Sequence, residues 1–138
     1  MNSIIRLDTR GRLVIPTEFR ETLGLKEGDE VIMSLDTTSN TLTIAPVYGK
    51  QANLVKIEIE FGDTPGCLAK IAAKLAELKV DLIMSESRSS KRGQKARWDI
   101  IADISKCSCS VTQLKQKIIQ SGLVESTSIT RIARDRLH

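Results

Sequence analysis

Hydrophobic and polar residues alternate in two segments of the carboxy-terminal part of the chain, and each alternation predicts a half-buried β-strand. In residues 54–61 every second side chain from Val55 onward is apolar, and the side chains between them are charged. In residues 97–104 the apolar side chains again take alternate positions and include the only tryptophan, Trp98. Each strand therefore has one face suited to a core and one suited to water.

Two further segments have apolar residues at the spacing of an amphipathic helix. They cover residues 67–78 and residues 110–121, and Gly122 follows the second as a cap. Further strands are predicted at residues 82–89 and 123–132, with a turn at residues 89–94. The resulting order β-α-β-β-α-β, over about 80 residues, is that of the ferredoxin-like arrangement. Both helices are expected to cover the apolar face of the sheet.

Residues 1–46 contain shorter elements separated by turn residues. Strands are predicted at residues 4–8, 12–15, 30–35 and 41–45, and a short helix follows Pro16 and ends at Gly24. Gly28 lies in a predicted turn that makes use of its positive φ. A segment of this size buries little apolar surface alone, so we expect it to need a partner to complete its core.

The pattern changes at residues 48–53, which we interpret as a linker. The chain then divides into a first domain at residues 1–47, the linker, and a second domain at residues 54–133. The composition of 41% hydrophobic and 28% charged residues is typical of globular proteins and disfavours disorder. The predicted fold class is therefore α+β.

The inventory of reactive side chains predicts a protein that is not an enzyme. His138 is the only histidine, so no histidine-based catalytic group or metal cluster can form within one chain. Cys107 and Cys109 lack the second pair of ligands that a zinc site needs. We therefore expect no catalytic residue, no metal and no cofactor. Because no apolar run reaches the length of a membrane span or resembles a signal peptide, and the odd number of cysteines favours reduced thiols, we expect a cytoplasmic protein.

Charge is distributed unevenly along a chain whose net charge is +4. Residues 1–48 hold five basic and seven acidic side chains, but four of the five basic ones fall within the first 20 residues. The remainder holds 16 basic and ten acidic side chains. This balance is compatible with nucleic-acid binding without requiring it, so an argument for DNA must rest on local arrangement.

The first domain resembles the AbrB/SpoVT-type swapped-hairpin family over about residues 4–46. The most specific stretch reads GRLVIPTEFRETLGLKEGD, with a Gly-Arg turn, an Ile-Pro strand end, a short helix, Leu-Gly and a Gly-Asp turn in order. The resemblance implies an intertwined homodimer, a β-barrel in which hairpins of two chains share one core. It also implies binding to double-stranded DNA. The basic residues at the matching positions are Arg6, Arg10, Arg12 and Arg20.

Guanidinium groups suit DNA binding because they bind phosphate as a fork and can also hydrogen-bond guanine edges. The alternative interpretation is that these arginines are solvated surface charges. Arg20 has a further alternative, which is to pair with Glu18 or Glu21 on or beside the predicted helix.

The second domain looks like an ACT domain over about residues 54–132, and its most specific element is the loop DTPGCLAKIA. The resemblance implies domains that pair side by side, giving a dimer or a tetramer, and that bind amino acids or other small effectors. Thr64 is expected to cap the following helix, and helix-terminal amides would favour a carboxylate. The candidate ligand-binding residues are Asp63, Thr64, Pro65, Gly66, Cys67, Leu68 and Asp81.

Within this set Asp63 would receive an ammonium group, and Asp81 would provide a polar contact across a dimer. The alternative is that Asp63 and Thr64 are only a helix cap and that the domain serves assembly alone. A basic hairpin adds a second open question, because its cations either contact flanking DNA or form a solvated tip. The basic residues of this hairpin are Arg88, Lys91, Arg92, Lys95 and Arg97.

Together these features predict a prokaryotic DNA-binding transcription regulator whose second domain senses a small effector, with an amino acid as the expected class. Two other functions remain open. One is an antitoxin, since small swapped-hairpin proteins often neutralise a toxin. The other is a regulatory subunit of a biosynthetic enzyme, attached through the ACT-like domain.

Overall fold

A computed structural model of the chain describes residues 1–49, 52–62, 64–91 and 94–135, with the backbone alone at residues 90 and 91. The chain forms two compact units, Met1–Tyr48 and Gly49–His138. No helix in the described ranges is long and apolar enough to cross a membrane.

The first unit contains a short helix and one antiparallel hairpin. Helix α1 (Thr17–Leu23) follows Pro16 and ends where Gly24 adopts a left-handed conformation with φ of 70°. The hairpin pairs β1 (Val31–Asp36) with β2 (Thr41–Pro46). These three elements agree with the sequence-based prediction to within one residue at each end.

The predicted strands at residues 4–8 and 12–15 are wrong for the single chain, since neither segment forms a strand. A strand needs a hydrogen-bonded neighbour along its length. Here the two segments are joined at their turn, where the Asp8 N–H donates to the Arg12 carbonyl at 2.9 Å. The side chains of both segments remain largely exposed, including that of Ile4. Any β-barrel built from these segments therefore needs hydrogen-bond partners from outside the chain.

The second unit has six elements in the order β-α-β-β-α-β, as its sequence predicts. Its four strands form one sheet in the order β4-β5-β3-β6, and all neighbouring strands are antiparallel. The elements are β3 (Leu54–Gly62), α2 (Cys67–Glu77), β4 (Asp81–Lys91), β5 (Lys95–Asp103), α3 (Val111–Gln120) and β6 (Val124–Arg131).

One hydrophobic core lies between the sheet and the two helices of the second unit. The alternating side chains of β3 and β5 supply the sheet side, and Ile57 and Ile100 are fully buried there. Leu75 of α2 and Leu114 of α3 belong to the same buried cluster. Both helices therefore cover one face of the sheet, which is the arrangement that the alternation of polar and apolar residues predicts.

Candidate nucleic-acid interface and candidate ligand pocket

A tight turn in the first unit is organised by the carboxylate of Asp8. Its Oδ1 accepts hydrogen bonds from the backbone N–H groups of Arg10 at 2.9 Å and of Arg12 at 2.8 Å. Its Oδ2 accepts a hydrogen bond from Nε of the Arg12 guanidinium at 2.7 Å. Gly11 adopts a φ of 74°, which side chains disfavour, and so completes the turn. We call residues 8–12 the arginine turn.

The charge state of Asp8 follows from these contacts. The pKa of Asp8 is held below its ordinary value, first by the backbone hydrogen bond from Arg12 and then by the Arg12 guanidinium. The carboxylate is therefore ionised at neutral pH, and it offsets part of the positive charge of Arg12. The Arg12 side chain nevertheless remains 64% exposed, so its remaining N–H groups can reach a ligand.

The arginine turn borders an open groove of about 540 Å³, which is lined by Ile5, Arg6, Asp8, Arg12, Leu13 and Val14. This groove brings Arg6 and Arg12 together, while Arg10 lies within the turn. Arg20 is placed on α1, where its Nη2 donates to Oγ1 of Thr17 at 2.9 Å. The predicted alternative of pairing with Glu18 or Glu21 does not form in the described part of the chain. Three of the four predicted arginines thus lie in or beside one turn.

The first unit leaves most of its large hydrophobic side chains in water. Of the fifteen such side chains that are exposed in the described residues, twelve belong to this unit. Only Ile32 and Val47 of this unit are buried. An apolar surface left uncovered on this scale marks an interaction surface.

A pocket of about 360 Å³ lies in the second unit beside the start of α2. Phe61 and Ala96, on the core side of β3 and β5, contribute apolar surface to it. Four of the predicted ligand-binding residues line it, namely Thr64, Pro65, Gly66 and Leu68. Three residues of β4 line it as well, namely Ser87, Arg88 and Ser89. The structure therefore joins the predicted loop to a strand segment that the sequence-based prediction did not include.

The predicted cap at Thr64 is wrong, because the residue before α2 is Gly66 and no side chain caps the helix. Gly66 has a φ of 83°, so the chain turns sharply there and the helix begins at Cys67. Pro65 lies in this turn and not in the first turn of the helix. The Thr64 hydroxyl is therefore not used as a cap. The backbone carbonyl of Thr64 instead accepts a hydrogen bond from the Cys67 N–H at 3.2 Å.

Two other predicted ligand-binding residues do not contribute their side chains to this pocket. Cys67 is buried, and its thiol donates to the carbonyl oxygen of Leu123 at 3.7 Å, so it packs in the core. Asp81 is the first residue of β4 and lies opposite Asp103. Ser87 follows Asp81 by six positions, roughly 20 Å along an extended strand, so within one chain Asp81 is remote from the pocket. Asp63 lies outside the described residues.

Two cations of the basic hairpin, Arg88 and Arg97, pair with neighbouring carboxylates. Arg97 lies within 3.2 Å of Glu58 and 2.8 Å of Asp99, and the hydrogen bond from Arg97 to Asp99 is the main cause that raises the pKa of Arg97. Arg88 contacts Glu86 at 3.2 Å. This pairing favours a solvated hairpin over a DNA contact for these cations. Arg92 and the side chain of Lys91 lie outside the described part of the chain, so their predicted contribution stays a prediction.

Ser87 and Ser89 could have been found from the sequence. Residues 85–90 read SESRSS, so serines alternate with charged residues and neither face of this strand is apolar. The register places Ser87 opposite Trp98, on the core side of the sheet. A polar residue on the core side of an edge strand indicates a position that the helices leave uncovered. Arg88, which also borders the pocket, pairs with Glu86 at 3.2 Å and lies opposite Arg97 in the register.

No group of three or more potential metal ligands occurs in the described ranges.

Two comparisons with known proteins match the chain. Residues 4–51 match the model of the MazE family, described as an antidote-toxin recognition protein and bacterial antitoxin. The match supports the similarity of this segment to a swapped-hairpin DNA-binding domain. It ends at residue 51, so the ACT resemblance of the second unit depends on that unit's own sequence and topology.

Curated relatives carry the name transcriptional regulator MraZ. The protein from Shewanella baltica strain OS195 is 34% identical over 62 residues, which is 45% of this chain and 40% of the relative. The protein from Shewanella sp. strain ANA-3 is 37% identical over 46 residues, which is 33% of this chain and 30% of the relative. The chain therefore spans less than half the length of these relatives.

Proposed function

We propose that this protein is a cytoplasmic transcription regulator that binds double-stranded DNA as an interlaced homodimer. The observation that carries the proposal is the arginine turn, in which Asp8 holds Arg12 beside the groove that also contains Arg6. Two-fold symmetry would present a second copy of this turn, and paired arginine turns suit the repeating phosphates of a duplex.

The exposed surface of the first unit supports the homodimer. Residues 4–8 and 12–15 are predicted as strands by the sequence but have no strand partner within the chain. Apolar side chains such as Ile4, Leu7 and Val14 are exposed in these segments. A second copy would supply both the missing strand partners and the missing half of the core, as the AbrB resemblance implies.

The comparisons support regulation of transcription. The curated relatives are named transcriptional regulators, and the family match covers the whole segment that contains the arginine turn.

DNA affinity measured against salt concentration tests this proposal. We expect tight binding at low ionic strength that weakens with a slope of about 0.9 per neutralised phosphate. Replacing Arg12 by Ala is expected to weaken binding and reduce the slope by about one for each phosphate that Arg12 neutralises. Lys26→Ala removes a cation of the same unit outside the turn and serves as the control. Absence of binding at low salt, or a monomeric chain in dilute solution, would reject the proposal.

For the second unit we propose binding of a small effector, with an amino acid as the expected class. The pocket next to α2 supports this, since it combines Phe61 and Leu68 as apolar walls with the hydroxyl groups of Thr64 and Ser87. The start of α2, apart from the Cys67 amide that already donates to Thr64, favours a carboxylate. Pairing of ACT-like units would bring Asp81 of another copy into reach and could produce a tetramer.

Calorimetry with a panel of the common amino acids tests effector binding. Ser87→Ala is expected to weaken binding of any amino acid found, because a pocket hydroxyl is removed with only a small loss of volume. Ser85→Ala makes the same change two residues earlier on the same face of β4, outside the pocket lining, and is the control. Regulation further requires that the ligand change DNA affinity, since coupling needs unequal affinity for two arrangements. If no amino acid binds, the proposed effector class is rejected and assembly alone becomes the favoured role of the second unit.

The family match keeps an antitoxin as the second candidate function, because the matched model is described as a bacterial antitoxin. The ordered second unit disfavours it, since an antitoxin of this type is expected to use a segment that folds on its toxin. Stable co-purification with a toxin encoded beside the gene would favour it. A regulatory subunit without DNA binding is the third possibility, and the salt titration separates it from the first.

A further inference from the structure

We propose that Asp8 is a positioning residue for the DNA contact and that it acts through the guanidinium of Arg12. This inference rests on the proposed DNA binding and adds a carboxylate to a site otherwise defined by cations. Acidic side chains repel phosphate, so the presence of an ionised carboxylate inside the arginine turn requires a reason.

The geometry supplies that reason. Asp8 Oδ1 accepts hydrogen bonds from two backbone N–H groups, which fixes the position of its carboxylate relative to the turn. Its Oδ2 then receives Nε–H of Arg12 at 2.7 Å. Because the guanidinium is planar, a bond at Nε restricts the orientation of the whole group. The carboxylate is thus held by the backbone and in turn orients the guanidinium.

The bond at Nε also selects which edge of Arg12 is available. The Nε edge is occupied by Asp8, while the two terminal nitrogens form a fork on a side chain that is 64% exposed. Such a fork fits two neighbouring acceptors, as on a phosphate or on the O6 and N7 atoms of guanine. Holding the fork in one orientation lowers the conformational entropy that binding removes. Asp8 therefore prepares Arg12 for a bidentate contact.

Two accounts of Asp8 make opposite predictions. If charge alone decides affinity, then removing the negative charge at Asp8 strengthens binding to DNA. If Asp8 orients Arg12, then removing the charge weakens binding even though the net charge becomes more positive. Asp8→Asn distinguishes them, because the amide keeps an oxygen for the backbone N–H groups but cannot also accept Nε–H at the Oδ2 position.

The experiment uses the full chain and a duplex of about 30 base pairs, selected from a random pool by the wild type and long enough for two half-sites. Fluorescence anisotropy gives the affinity. We expect Asp8→Asn to weaken binding by about tenfold, which is the size of effect expected when one bidentate hydrogen-bonding pair is disordered. Glu18→Gln makes the same change of charge on α1, outside the turn, and is expected to change affinity by less than about twofold.

A double substitution separates positioning from a general effect on folding. In the Arg12→Ala background, Asp8→Asn is expected to weaken binding little further, because Asp8 acts through the side chain already removed. A merely structural role in the turn would give additive effects on affinity. Circular dichroism and the mass of each variant in solution verify that the variants fold and assemble.

The outcomes distinguish this inference from the proposed function. If the wild type does not bind the random pool at low salt, the proposed DNA binding fails. If the wild type binds and Asp8→Asn binds equally well or more tightly, only the role of Asp8 is overturned. Additive effects in the double variant, or an Arg12→Ala variant that binds like the wild type, overturn it as well.

Discussion

Asp103 stabilises the start of the second unit, because its Oδ1 accepts a hydrogen bond from the backbone N–H of Asn53 at 2.9 Å. The same oxygen accepts from the N–H of Ser105 at 2.9 Å, and the Asn53 carbonyl accepts from Ile104 at 2.9 Å. Asp103 is only 8% exposed, so little water is available to replace these bonds. This buried carboxylate therefore joins the end of β5 to the residues that precede β3.

Removing the Asp103 carboxylate should destabilise the second unit. Asp103→Ala leaves two backbone donors without their acceptor, and we expect the free energy of unfolding to fall by about 2 kcal/mol. Trp98 is the only tryptophan and is buried in this unit, so its fluorescence during urea unfolding reports on this unit. Asp103→Asn keeps one oxygen acceptor and should cost less. Equal stability of all three proteins would contradict the role assigned to Asp103.

The same carboxylate should give the second unit a dependence on acid. Burial acts to raise the pKa of Asp103, but the N–H groups of Ser105 and Asn53 outweigh it and the pKa lies below its ordinary value. The unfolded chain then binds more protons in the acid range. The stabilisation is complete above the ordinary pKa of about 3.9 and is lost as the pH falls through the folded value. We expect the difference in stability between wild type and Asp103→Asn to shrink between neutral and acid pH; a constant difference would contradict this.

Local sequence patterns were sufficient for the elements of the second unit but not for this contact. Alternation in β3 and β5 and the helical spacing around Leu75 and Leu114 each act over a few residues, so they can be read directly. The partners Asn53 and Asp103 are 50 residues apart. Only the register of β3 against β5 brings them together, and no local pattern carries that information.

In the first unit, by contrast, the local pattern predicts strands that the single chain does not form. The apolar pattern of residues 4–8 and 12–15 predicts strands, yet the single chain offers them no hydrogen-bond partners. The pattern describes what these segments can bury, not which chain covers them. The arginine turn was predicted as a group of cations, whereas the role of Asp8 depends on the hydrogen bonds to Arg10 and Arg12. The cap at Thr64 was wrong because Gly66, in a left-handed conformation, is the residue before the helix, which begins at Cys67.

Two adjacent isoleucines of α3 provide a test of the core. Ile118 is 1% exposed and belongs to the buried cluster, whereas Ile119 is 44% exposed. Ile118→Ala is expected to lower the free energy of unfolding by about 3 kcal/mol, because it removes packed side-chain atoms and leaves a cavity. Ile119→Ala makes the same chemical change on the outer face and should cost less than about 1 kcal/mol. Urea unfolding followed by Trp98 fluorescence measures both; similar destabilisation by the two variants would show that α3 is oriented differently.

The start of α3 provides a second test, independent of the core. Ser110 Oγ accepts from the Gln113 N–H at 3.2 Å, and Gln113 Oε1 accepts from the Ser110 N–H at 2.9 Å. This reciprocal pair satisfies two backbone donors at the helix start. Ser110→Ala is expected to cost about 1 kcal/mol of unfolding free energy. The matched control is Ser108→Ala, in the preceding loop, and an effect of similar size there would remove the case for a cap.

Gly66 tests whether the turn before α2 matters for stability and for the pocket. Its φ of 83° is disfavoured for other residues, although an added Cβ would meet no atom within 4 Å. Gly66→Ala should therefore cost about 1 kcal/mol through backbone strain alone, without a steric clash. Gly62→Ala is the control, because Gly62 has neither a positive φ nor a crowded Cβ position. Since Gly66 also lines the pocket, any amino acid bound by the wild type should bind Gly66→Ala more weakly and Gly62→Ala about equally well. Unchanged stability of Gly66→Ala would mean that the left-handed turn is absent in solution.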